Sequence, residues 1–392
     1  MSKIEELIKQ LCPDGVKFMK LGDILNYEQP TKYIVKDTIY DDSFSIPVLT
    51  AGKSFILGYT DDKIGVYQAS KENPVIIFDD FTTSFKWVDF NFKVKSSAMK
   101  ILTTKKDIDI DIRFVFYAMN CIFYNPQDHA RQWISVYSKF KIPFPPLPIQ
   151  QEIVNILDKF TMLEAELEAE LEARSTQYNY YRDQLLNFEG KEVEWKTMGE
   201  VGEFVRGNGL QKSDFTESGV GCIHYGQIYT YYGTFAYKTK SFVKKELSKK
   251  LRKVNTGDLI ITNTSENVED VCKTIAWLGD EEIVTGGHAT IFKHRENPKY
   301  LAYYTKTQMF MSEKKKYAKG AKVIDVAAKD IAKIKIPLPP VEEQERIVNI
   351  LDKFEALVND ISMGLPAEIE ARKKQYEYYR EKLLTFNEAA NG

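Results

Sequence analysis

The twenty residues from Lys141 to Phe160, KIPFPPLPIQQEIVNILDKF, return without a gap as KIPLPPVEEQERIVNILDKF from Lys335 to Phe354. Such a duplication dictates a chain built twice, because each copy must reach the same local structure. A second match sets EARSTQYNYYRDQLLNF (Glu172 to Phe188) against EARKKQYEYYREKLLTF (Glu370 to Phe386), at an offset of 198 residues where the first has 194. Four residues have entered between the two matches. They fall at LEAELEAELEAR (Leu163 to Arg174), which corresponds to Leu357 to Arg372. A shorter match, VKFMKLGD (Val16 to Asp23) with VEWKTMGE (Val193 to Glu200), places a helix-like segment before each copy. The order is therefore a circularly arranged pair of half-molecules, with approximate two-fold symmetry expected.

Each repeated unit reads as a proline-stopped strand followed by a long helix, since KIPFPP cannot continue a regular element. In the first copy Ile153, Ile156, Phe160, Leu163, Leu167, Leu171, Arg174, Tyr178, Tyr181, Leu185 and Phe188 recur at steps of three and four, a heptad seam interrupted by one extra four. The second copy has two such fours, and also Gly364 and Pro366, which predict a kink or a break because an interior proline costs about 3 kcal/mol. One tetrad adds about 6 Å and turns a helix about 40° beyond a full turn. The tract is thus expected to act as a ruler. Its glutamates, Glu164 to Glu172 at alternate positions, would be repelled by phosphates.

At 392 residues the chain exceeds one ordinary core. Between the helices, short apolar runs such as NPVIIF (Asn73 to Phe78) and TGDLIIT (Thr256 to Thr262) alternate with turn signals. The expected fold class is α+β, with two strand-rich mixed domains separated by two long helical regions that pair as an antiparallel coiled coil. The formal net charge of −2 marks no global field, so any anion-binding surface has to be local.

One stretch supplies such a surface. Tyr225, Tyr229, Tyr231, Tyr232, Phe235 and Tyr237 lead into Lys238, Lys240, Lys244, Lys245, Lys249, Lys250, Arg252 and Lys253, opposed only by Glu246. Clustered cations suit phosphates and tyrosines suit sugar and base edges, while a solvated lysine-rich helix behind a strand is the plain alternative. A second cluster, KKKYAKGAK (Lys314 to Lys322), strengthens the binding reading through Lys322. In the first domain Lys86 and the HARQW stretch stand out, with His129, Arg131 and Gln132 as candidate base readers, because Arg suits guanine and Gln suits adenine. His288 in TGGHAT is a further candidate, against a turn histidine satisfied by backbone.

Catalytic motifs fail on inspection. AGKS (Ala51 to Ser54) has Pro47 where a phosphate-binding loop requires glycine. RGNGLQK (Arg206 to Lys212) lacks the third glycine of a dinucleotide turn, and the Glu194 and Lys196 triplet is a chance pattern in a chain with 28% charged residues. YNPQD and ENPKY lack the second proline with which adenine methyltransferases hold their target amine. Cys12, Cys121, Cys222 and Cys272 show no C-x-x-C spacing, so neither a disulfide framework nor a structural zinc is expected. MSKIEELIKQLCPDG carries no secretory pattern and no run approaches the roughly 18 apolar residues of a membrane helix, which suggests a soluble cytoplasmic protein.

The duplicated PLPP…EQERIVNILDKF and EIEARKKQYEYYREKLLTF resemble the specificity subunits of type I restriction-modification systems along the whole chain. The resemblance implies target-recognition domain 1 over residues 1–146 with its short N-terminal helix, helical spacer 1 over 147–189, target-recognition domain 2 over 190–340, and helical spacer 2 over 341–392. It also implies a non-catalytic chain that reads a two-part asymmetric site on double-stranded DNA. Two modification methyltransferase subunits and restriction/translocase subunits would be its partners, bringing S-adenosylmethionine, ATP and Mg with them. The seam then becomes the expected partner surface, through Ile153, Phe160, Tyr178, Tyr181, Leu185 and Phe188 and their duplicates Ile347, Phe354, Tyr376, Tyr379, Leu383 and Phe386. A protein-only scaffold and a fragment of a single-chain methyltransferase or nuclease are the alternatives. The first does not need two unlike domains rich in tyrosine and lysine, and the second lacks its motifs.

Overall fold

The computed structural model describes residues 3–51, 54–360 and 363–389, so Gly52 and Lys53 of the AGKS stretch lie outside the described residues. Two compact units form, one from residues 1–166 and 370–392, the other from 167–369. The borders fall inside two helices, so the packing cuts across the four blocks laid out along the chain. Each unit owns the start of one long helix and the end of the other.

The first unit holds β1 (Lys17–Lys20), β2 (Leu25–Glu28), β3 (Ile46–Leu49), β4 (Ile56–Thr60), β5 (Val75–Asp79), β6 (Phe85–Val88), β7 (Lys93–Val94), β8 (Met99–Thr104) and β9 (Lys141–Phe144). They form a sheet β2-β8-β5-β6, a sheet β4-β3-β7 and a pair β1-β9. VIIFD of β5 is buried along its length, as expected for β-branched and aromatic residues in a central strand covered on both faces. In the second unit follow β10 (Glu194–Thr197), β11 (Gly202–Arg206), β12 (Val220–Ile223), β13 (Phe235–Ala236), β14 (Ser241–Val243), β15 (Arg252–Val254), β16 (Leu259–Thr262), β17 (Thr264–Ser265), β18 (Thr274–Trp277), β19 (Ile283–Thr285), β20 (Ala289–His294), β21 (Ile324–Asp325) and β22 (Lys335–Leu338). Their sheets run β11-β20-β16-β18-β13 and β14-β12-β19-β15, with pairs β17-β21 and β10-β22. Domains with little sequence in common therefore share one topology, with β2-β8-β5-β6 answering to β11-β20-β16-β18.

Leu147–Leu185 is one uninterrupted helix of 39 residues. Its duplicate is divided into Val341–Asn359 and Leu365–Leu384. Gly364 explains the break: a Cβ there would stand 2.4 Å from the Ala356 carbonyl oxygen and 2.7 Å from that of Leu357. Pro366 falls in the first turn of the new helix, where its missing N–H costs nothing. The circular arrangement is also visible, since Val16 N donates to the Asn387 carbonyl and Ala389 N to that of Val16, which joins the two ends of the chain within the first unit.

A polar joint fastens each domain to its helix, and it is duplicated group by group. Asp111 caps the helix Ile112–Met119 and Asn297 caps Pro298–Tyr304. The Gln150 amide accepts from Asp111 N (2.9 Å) and donates to the Pro145 carbonyl (2.8 Å); Gln344 does the same with Asn297 N (3.2 Å) and Pro339 (3.0 Å). Asp158 accepts from Arg113 Nε (2.8 Å) and from the Tyr117 hydroxyl, and Asp352 from Lys299 Nζ (2.6 Å) and the Tyr303 hydroxyl (2.7 Å).

The seam closes the helices on themselves. In the first unit Phe160 stacks on Tyr379 (5.4 Å) and Glu164 lies 3.4 Å from Lys373; in the second, Tyr181 stacks on Phe354 (5.7 Å). Ile153, Tyr178, Phe188 and Ile347 are buried in the unit cores, and Leu185, Tyr376, Leu383 and Phe386 are packed against them. This corrects the expectation that the seam faces partners, because burial of apolar area within the chain has already used it. The equivalent aromatics that do face outward are Tyr180 and Tyr378, each 60% exposed.

Candidate nucleic-acid interface

In the second unit three loops converge. Gly207 and Gly286 permit it, since a Cβ on Gly207 would lie 2.0 Å from the Gly286 carbonyl oxygen. The glycines of RGNGLQK and TGGHAT thus allow backbone to meet backbone. The loop beyond Gly286 presents His288, which is exposed, with its ring 4.8 Å from that of Tyr225 and Nδ1 3.1 Å from Thr264 Oγ1. Asn208 Nδ2 donates to the Lys250 carbonyl (2.8 Å), which brings the lysine stretch to the same loop. Buried His224 supports Tyr225 from below by accepting from Gly226 N (3.2 Å). Burial, then the charges of Lys212 and His288, hold its pKa below the usual histidine range, so it remains a neutral acceptor. Lys212, Tyr225, Tyr229, Thr264 and Glu266 line an open cavity of about 530 Å³ at this site.

The remaining residues of the tyrosine–lysine stretch divide. Lys244, Lys245, Lys249 and Lys250 are exposed at and beside the one-turn helix Lys245–Ser248, as phosphate contacts require. Lys238 is exposed, Tyr231 is 55% exposed, and Lys240 Nζ sits 4.3 Å over the Tyr231 ring. Tyr232 is buried and its hydroxyl accepts from Lys240 N (2.7 Å), which corrects its reading as a contact residue: the ring belongs to the core and the hydroxyl is used. Lys322 is exposed just before β21, whereas Lys314 of the same cluster is buried.

In the first unit His129 and Arg131 are exposed, with the His129 ring edge-on to Phe81 at 5.8 Å and Arg131 Nη1 3.9 Å from Asp80 Oδ2. Asp80 is buried, 3.2 Å from buried Lys100, and accepts from Trp133 N (2.8 Å). Gln132 is corrected from reader to strut: it is 2% exposed, its amide donating to Asp128 (2.9 Å) and accepting from the Tyr124 hydroxyl (2.9 Å). Lys86 is exposed on β6. Sequence reasoning missed Phe81, Lys212, Asn208 and Thr264. Their signal lay in position beside strand ends, and NPVIIF and TGDLIIT were compared without the residues that follow them.

Among the described residues no helix is long and apolar enough to cross a membrane and no group of three or more His, Cys, Asp or Glu could hold a metal. All four thiols are free, and burial raises that of Cys222 to about 12.

Comparison with known proteins fits this architecture. The family model for the type I restriction modification DNA specificity domain matches twice, over residues 13–173 and 190–371. The chain is 44% identical to the Type I restriction enzyme EcoR124I/EcoR124II specificity subunit of Escherichia coli, over 98% of both chains. Its fold is similar to the S subunit of a type I restriction-modification system from M. genitalium (TM-score 0.57, 14% identity, 94% of this chain and 96% of that one). It is also similar to a chain from a study of complex assembly and conformational transition of the type I R-M system (TM-score 0.58, 16% identity, 95% and 98%). With two matched domains, a long helix between them and a non-catalytic, DNA-recognising relative along its whole length, this chain belongs to the family of type I restriction-modification DNA specificity subunits.

Proposed function

We propose that each unit reads one half of a two-part, asymmetric sequence on double-stranded DNA, and that the helices carry two identical modification subunits together with restriction/translocase subunits. The observation that carries this reading is the combination of one topology, one duplicated joint and two unlike outward surfaces. Unlike surfaces on like frames suit two different half-sequences; like joints and like outward tyrosines, Tyr180 and Tyr378, suit two copies of one partner. Exposed cations at Lys244, Lys245, Lys249 and Lys250, with His288 and Tyr225 beside them, supply phosphate and base-edge contacts in the second unit, and His129, Arg131 and Lys86 in the first. Adenine methylation, with S-adenosylmethionine, and ATP-driven work with Mg fall to the partners, in the cytoplasm. Native mass measurement with saturating modification subunit tests the symmetry: a two-to-one complex is expected, and a stable one-to-one complex contradicts it.

A further inference from the structure

Strand register sets a residue-by-residue correspondence between the two units. In β5 and β8, Ile76 pairs with Leu102 and Phe78 with Lys100; in β16 and β20, Leu259 pairs with Phe292 and Ile261 with Thr290. The hydrogen bonds beyond these strands match as well. Asp79 N donates to the Ser84 carbonyl and Thr83 N to that of Asp79, while Thr262 N donates to Lys273 and Cys272 N to Thr262. Thr83 and Cys272 are thus one position. Among the described residues they are the two non-glycine residues with positive φ, 60° and 64°. A β-branched threonine resists that conformation, so both units retain the same hairpin end against local preference.

Between these anchors the units part. The first has Asp80, Phe81 and Thr82; the second has the nine residues Asn263 to Val271. The longer loop is held at several points. β17 within it pairs with β21, and Asn267 Nδ2 donates to Asp270 (2.8 Å). Lys314, 3% exposed, donates to the carbonyls of Glu269 (2.7 Å) and Val271 (2.5 Å). An ordered loop loses little entropy on binding, and a two-stranded ribbon is thin enough to enter a major groove. Glu266 stands exposed on the rim of the 530 Å³ cavity, with Lys212 on the same rim. A carboxylate there can accept from the exocyclic amine of cytosine, with the cation beside it offsetting phosphate repulsion.

We propose that the Asn263–Val271 loop is the base-reading element of the second unit, with Glu266 accepting from a cytosine amine, Lys314 as its positioning residue, and the short Asp80–Thr82 tip in the same office in the first unit. This rests on the reading that each unit reads one half-site. The test maps methylated sites in cells carrying the modification subunits and one variant of the full chain. Glu266→Gln should relax one base of one half-site by about ten-fold in relative methylation. Replacing residues 263–271 by the three-residue tip should alter several bases of that same half-site, Lys314→Met should blur it, and Phe81→Ala should alter only the other half. If the loop replacement fails to fold, the exposed Glu266→Gln change still decides. Methylation retained with both half-sites as in the parent overturns the loop assignment alone; a parent chain that directs methylation to no two-part sequence overturns the half-site reading beneath it.

Discussion

Asp158 takes its hydrogen bonds from Arg113 and Tyr117, and Asp352 takes the matching pair from Lys299 and Tyr303; the ends of β5 and β16, on the same two frames, carry three residues and nine. The joint must be alike for two domains to stand alike on their helices. The outward loops carry no such constraint, so they are free to differ with what they meet. One difference lies deeper. Glu355, buried in the second unit, accepts from the Thr234 hydroxyl with Lys306 at 3.5 Å, whereas the equivalent positions of the first unit are Thr161 and Asn120. The second unit is therefore the one whose core depends on a buried charge.

That asymmetry gives the largest expected effect. Lys306→Met should loosen the second unit by about 2–3 kcal/mol, below the range for a fully buried pair because the Lys306 side chain is 28% exposed. Peptides from 167–369 should exchange amide hydrogens faster, with the first unit unchanged; equal loosening of both would break the comparison. Acid should act in the same direction. Burial raises the Glu355 pKa, but the Lys306 charge and hydrogen bonds from Thr234 and Tyr178 outweigh it, leaving a net lowering. The stability this carboxylate adds is complete above the ordinary glutamate range and is lost as pH falls through its lowered folded value. Thr161 has no such response.

The joint predicts a smaller, paired effect. Asp352→Asn should cost about 1–2 kcal/mol and Asp158→Asn about 1, since the Asp352 side chain is 29% exposed and that of Asp158 45%. Denaturation midpoints would check the order, and a reversed order would show that the two joints are not equivalent. Smaller still is the loss from Lys244, Lys245, Lys249 and Lys250 to alanine. Binding should weaken on all DNA, the salt slope should fall by about 0.9 for each phosphate contact removed, and both half-sequences should survive. An unchanged slope would make these lysines a solvated surface.

The frame was legible in the sequence because duplication is a length-scale signal: the helices, their break at Gly364, and the closing of the chain on itself all follow from offsets of 194 and 198. The direction of the seam was not. Ile153 and Tyr178 carry the same heptad spacing whether they meet a partner or the chain's own core, and periodicity gives the face of a helix without its neighbour. Gln132 and Tyr232 misled for a related reason, since an amide or a phenol suits a base edge and a buried strut equally well. The hairpin tips escaped notice because their equivalence lives in strand register, which joins Thr83 to Cys272 across loops of unlike length.

The central claim, two readers set on one helical spacer, meets its most direct test in Leu167–Glu170, which lies within the uninterrupted helix Leu147–Leu185 just past the border of the first unit. Deleting these four residues removes about 6 Å and about 40° of helix, against about 3.4 Å and roughly 35° for a base pair. Methylome mapping of the deletion variant should show the unread spacer shortened by one or two pairs and both half-sequences intact. An unaltered spacer, or altered half-sequences, would contradict the account.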